Sequence, residues 1–174
     1  MYVRFVTPDL AQLDGLRCEA LVLPFFSDER PLQGVAGLVD WRLCGLLSRW
    51  IAAGRIDGAA DEVVLVPCAG RLPMDTVWLF GLGPQADFDA ARLRERLAAM
   101  LEAMGATQAR SLALVLPGRN TGDADPADAM EALVAAGLGR EDDELVVIET
   151  SDGQKAMEPV IARERRRQRA RDYA

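Results

Sequence analysis

The chain has 174 residues, half of them hydrophobic and 27% charged, with a net charge of −7. That length holds one domain with a sizeable core, which excludes wholesale disorder and any need for disulfides or metal to fold. There is no histidine, which removes Ser-His-Asp and Cys-His catalysis, His-ligated zinc and the commonest base near neutral pH. No apolar run approaches the roughly 20 residues of a membrane span. The start, Met1-Tyr2-Val3-Arg4-Phe5, lacks the basic-then-apolar order of a signal peptide. Cys18, Cys44 and Cys68 form no CxxC pair, so zinc is not expected and a reducing cytoplasm is the expected setting.

In chain order, Tyr2 to Val6 reads as a short strand. Ala20 to Phe26 is a continuous apolar run, the mark of a strand buried on both faces, with Pro24 ending its bonded part near Leu23. A polar turn, Ser27 to Pro31, follows. From Gly34 to Ala53 the apolar residues Val35, Leu38, Val39, Leu43, Leu46, Leu47, Trp50 and Ile51 recur at helical spacing, and Gly54 stops that helix. Trp41 and Arg42 sit at the edge of its stripe. Asp61 to Cys68 and Thr76 to Phe80 are the next strands. A helix capped by Asp89 runs to Met104, and Ser111 to Leu116 is a strand. Asp125-Pro126 starts another helix around Met130, Leu133 and Val134; Glu144 to Glu149 is the last strand. A break at Ser151 to Gly153 precedes a helix from about Pro159 to Arg171.

Strands alternating with helices predict a three-layer α/β/α sandwich with a mixed, largely parallel sheet. The expected division is a domain over 1–150 and an Arg-rich helical tail over 151–174. Residues 160–174 carry +4, leaving −11 on residues 1–159. An acidic body disfavours a broad nucleic-acid surface. Val160, Ile161 and Tyr173 offer the tail little apolar area, so Arg pairing is expected to hold it, and residues 159–174 are expected to be removable.

Little of the chemistry-bearing sequence forms a constellation. Gly81-Leu82-Gly83 follows a strand, but Pro84, Gln85 and Ala86 come next, so the dinucleotide fingerprint fails and a tight strand exit is the better reading. Glu141, Asp142, Asp143 and Glu144 lack the spacing of a cation loop and read as a solvated segment. Cys44 and Cys68 read as small core side chains.

The order EALVLPFF (19–26), then PLQGVAGLVDWRLCGLLSRWIAAGRIDGAADEVVLVPCAGRLPMDTVWLFGLGP (31–84), resembles the N-terminal domain of leucyl aminopeptidases. The resemblance rests on a buried strand, a Leu-rich helix around Asp40, a glycine-containing segment at Gly54 to Gly58, and strands ending near Pro67 and at Gly81-Leu82-Gly83. It continues more weakly through residues 88–118 to about residue 150. It implies a macro-like fold. In that family, two metal ions are held by a larger C-terminal domain bearing Asn-Thr-Asp-Ala-Glu-Gly-Arg. Asn120-Thr121-Gly122-Asp123-Ala124-Asp125 is a decoy for that motif, having an inserted Gly and no Gly-Arg. The chain is therefore expected to be a free-standing, non-catalytic domain with no catalytic residue, no metal site and no cofactor.

Its expected role is protein interaction or assembly, with self-association or a protein partner and no membrane or nucleic acid. The alternative is a macro-type binder of ADP-ribose or a related nucleotide. In that alternative the resemblance to macro domains assigns the ligand to Gln33, Gly34, Val35 and Gly37 at a helix N-terminus, with Gly81 and Gly83 of the strand exit as further contacts. Pro24-Phe25-Phe26-Ser27 stands where those domains carry an Asn-containing stretch.

Overall fold

The computed structural model describes residues 2–106, 109–137 and 144–172. Six strands form one sheet: β1 (Tyr2–Val6), β2 (Ala20–Phe25), β3 (Val63–Pro67), β4 (Thr76–Gly81), β5 (Ser111–Leu114) and β6 (Glu144–Ile148), in the spatial order β1-β6-β5-β2-β4-β3. All neighbours are parallel except β3 and β4, which are antiparallel. Helices α1 (Leu10–Gly15), α2 (Gly34–Arg42) and α3 (Leu46–Ala52) lie on one face, and α4 (Ala90–Gly105), α5 (Pro126–Ala135) and α6 (Ser151–Asp172) on the other. The fold is the expected α/β/α sandwich.

The period of two along the strands sorts side chains between two cores. Leu21, Leu23 and Phe25 of β2 face α2 and α3, while Ala20 and Val22 face α4 and α5. Every residue of β2 is buried, as its unbroken apolar run requires. Pro24 stays inside the strand, opposite Phe80 of β4. Its missing donor costs nothing on the β5 side, because the last β5 residue paired to β2 is Leu114, opposite Val22.

Three further features depart from the sequence reading. The helix over 34–53 is two helices, broken where Cys44 (φ 57) and Gly45 (φ 74) turn left-handed. Buried Asp40 makes that break: its Oδ1 accepts from the amides of Leu47 (2.8 Å) and Ser48 (3.2 Å), capping α3. Helix α1, capped by Asp9, was not anticipated. Helix α6 begins at Ser151, not near Pro159, and buries Met157 and Val160 in the second core with Ile161 packed beside them. Its first half is thus docked by apolar burial. Met157 is the residue missing from the sequence account of the tail. Tyr173 lies outside the described residues.

Candidate functional site

Open α/β sheets bind ligands at the carboxyl ends of their strands, here the crest formed by β2, β4 and β5 and the loops that follow them. Gln33, Gly34 and Val35 form the entry to α2, but the Gln33 side chain makes no cap bond. Glu29 holds the cap residue's own amide instead. Its carboxylate, 2% exposed, accepts from the Gln33 amide (2.8 Å) and the Phe26 amide (3.2 Å). Asn120, from the loop after β5, reaches across and accepts from the Val35 amide through Oδ1 at 3.2 Å. Gly34 takes φ +50, and a Cβ there would lie 2.6 Å from Asn120 Oδ1. The glycine is needed for both reasons. The Gly37 amide is spent inside the helix on the Gln33 carbonyl (3.1 Å).

Gly81 and Gly83 sit across the crest under the loop over 58–62. The Gly81 amide donates to the Glu62 carbonyl (2.8 Å) and the Gly83 amide to the Gly58 carbonyl (2.9 Å). A Cβ on Gly81 would fall 1.9 Å from the Ala59 carbonyl oxygen. Backbone packing, not an open anion cradle, is what these glycines serve. A helix N-terminus with free amides suits an anion; in this chain a carboxylate and an amide oxygen already take the Gln33 and Val35 amides.

The loops around the crest are tied to one another. Asp28 accepts from the Gln85 amide (3.0 Å), Gln85 Nε2 donates to Asp123 (2.8 Å), and Phe26 meets Phe88 edge-on at 5.1 Å. Arg119 lies in a bidentate pair with buried Glu149 (2.7 and 2.9 Å), which holds its guanidinium above the usual range. Glu29 is pushed above the ordinary carboxylate range, first by burial, against the lowering pull of the Gln33 and Phe26 amides. Among the described residues no three His, Cys, Asp or Glu side chains are placed to share a metal ion. In the 120–125 segment, Asp125 caps α5 and Thr121 bonds to Asp123, so its polar groups are structural. Glu141, Asp142 and Asp143 lie outside the described residues; Glu144 pairs with Arg4 at 3.2 Å.

The fold therefore brings Gln33, Gly34 and Val35 together with Asn120, and sets Gly81 and Gly83 on the same crest. Sequence alone does not pick out Glu29, which lies in the polar turn over 27–31, or Asn120, which lies in the false motif over 120–125. An acid four residues ahead of a helix cap whose own side chain is unsuited was the available signal.

The family model described as cytosol aminopeptidase family, N-terminal domain, matches residues 22–145. A probable cytosol aminopeptidase of Geobacter sp. (strain M21) is 35% identical over 98 residues, covering 56% of this chain and 20% of that protein. One from Ralstonia pickettii (strain 12J) is 30% identical over 125 residues, covering 72% and 24%. The chain spans about a fifth to a quarter of the length of the curated relatives it matches. Among solved structures, the Trypanosoma brucei macrodomain in complex with ADP-ribose has a TM-score of 0.68 at 16% identity, over 91% of this chain and 68% of that one. A tomato leucine aminopeptidase mutant has a TM-score of 0.59 at 16% identity, over 90% and 34%. At such identities these likenesses show the fold alone.

Proposed function

The chain belongs to the cytosol aminopeptidase family through that family's N-terminal domain, and on that premise we propose that these residues form a non-catalytic module for protein interaction or assembly. The observation that carries this reading is where the fold spends its polar and apolar groups. At the crest, the Gln33 and Val35 amides are bonded to Glu29 and Asn120, and the Gly81 and Gly83 amides to the 58–62 loop. Meanwhile Val63 and Leu65, 46% and 50% exposed, are left uncovered at the sheet edge. A cytoplasmic setting is proposed with it, supported by three unpaired thiols. No helix among the described residues is long and apolar enough to cross a membrane.

Macro-type binding of ADP-ribose is the second reading, favoured by the fold likeness; use of the Gln33 and Val35 amides would require Glu29 and Asn120 to release them. One set of measurements separates the readings. The purified chain is expected to leave leucine anilide intact with added manganese or zinc, to give no saturable heat with ADP-ribose in calorimetry, and to associate with itself or a protein. Metal-dependent turnover or saturable ADP-ribose binding overturns the proposal.

A further inference from the structure

Strand β3 closes the sheet at one edge. Its even-numbered residues and their flanks bond to β4: the Gly81 amide donates to the Glu62 carbonyl (2.8 Å) and the Cys68 amide to the Asp75 carbonyl (2.9 Å). In an antiparallel ladder, alternate residues bond to the same side. Val63 and Leu65 consequently turn their amides and carbonyls outward, beyond the last strand. Edge strands are ordinarily blunted by charge, bulges or proline. The segment Val63-Val64-Leu65-Val66-Pro67 carries no charge, and its proline stands last. The opposite edge, β1, has Arg4 at its middle.

We propose that β3 pairs antiparallel with β3 of a second copy about a two-fold axis at Val64, making one sheet continuous across a dimer. This rests on the assembly reading above. In that register Val63 faces the partner's Leu65, and each such pair exchanges both N–H···O bonds. Pro67, which has no amide proton, falls outside the bonded stretch. Centring the pairing on Leu65 would set Val63 against the partner's Pro67 and leave the Val63 carbonyl without a donor. Charge selects the direction. Glu62, of the same parity as Val64 and Val66, precedes the strand, and Arg71, which donates to Cys44 Sγ on the α2/α3 side, follows it, so antiparallel pairing brings opposite signs to the same face, whereas parallel pairing brings like signs together. The occupant is a second copy because one edge is then complementary to itself in bonds, apolar side chains and charge, as a closed two-fold contact demands.

Light scattering on the intact chain tests this, with Leu65→Lys and, in a Cys44→Ser background, Val64→Cys. The wild type is expected to be a dimer. Leu65→Lys sets a cation at the centre of the apolar contact and is expected to weaken the dimer at least about tenfold. Its thermal midpoint should stay unchanged under conditions where both proteins are monomeric, since the side chain is half exposed. Val64→Cys is expected to give a disulfide-linked dimer with oxidised glutathione, because facing residues of a non-hydrogen-bonded pair have Cα atoms about 4.5 Å apart. A wild type that stays monomeric at every concentration overturns the inference. A dimer that ignores Leu65→Lys and fails to cross-link also overturns it, yet leaves assembly through another surface standing.

Discussion

Glu29 carries two backbone amides on a carboxylate that is almost wholly removed from water. Because its folded-state pKa is raised, first by burial, the folded chain holds this proton more tightly than the unfolded chain does. Its contribution to stability is therefore greatest below the ordinary carboxylate range and declines as pH rises through the window up to the raised value. Urea unfolding across that window should show wild type losing stability relative to Glu29→Gln as pH rises; a constant difference would remove burial as the cause. Glu29→Ala at neutral pH leaves two amides without their acceptor and should cost about 1–3 kcal/mol. The thiols form a second residue-scale case. Burial pushes Cys18 and Cys68 up to about 11, whereas Cys44 is exposed, with Arg71 Nη1 donating to its Sγ at 2.7 Å. Titration with a disulfide reagent near neutral pH should find one fast thiol in the native chain, lost in Cys44→Ser, and the other two after unfolding.

Individual elements show what a periodic pattern can and cannot carry. The apolar stripe over 34–53 runs through the break between α2 and α3, because Leu43 and Leu47 bury on both sides of it. Spacing alone then reads one helix. The break was written instead in Asp40, whose carboxylate prefers the free amides of a new helix. By contrast, Asp89 and Asp125 were legible as caps because each directly precedes its helix. In α6 the division falls inside the helix. Met157 and Val160 are core, while Arg163 holds Glu131 through a half-exposed pair (2.6 Å) of about 0–1 kcal/mol. Truncation after Ala162 should leave the thermal midpoint nearly unchanged. Truncation after Ala156 removes two buried side chains, each worth roughly 1.5–3 kcal/mol, and should lower it sharply or abolish soluble folding. Equal effects of the two truncations would contradict this division of α6.

At the scale of the whole molecule, the sheet and its layers were legible because five parallel strands demand apolar runs separated by helices. The closed crest was not, since Glu29 and Asn120 meet α2 from loops that no local pattern joins. Both cores share the strands of one sheet, so neither layer of helices has a separate unit to fall back on. Equilibrium unfolding should be one cooperative transition, with near- and far-ultraviolet circular dichroism superimposing; separated transitions would show the layers to be independent.

The pairing of β1 with β6 has a consequence for synthesis. The first strand finds its neighbour in the last: Val3 lies beside Leu145, and Phe5 beside Val147. At about 5–20 residues per second, a ribosome needs roughly 7–30 s to deliver that neighbour after β1 has been made. For that interval Val3 and Val6 have no sheet to enter, and the nascent chain carries an unpaired apolar strand. The β3–β4 hairpin needs no such wait, because its two strands follow one another directly. Vectorial growth thus favours assembly from the hairpin edge inward, with β1 joining last.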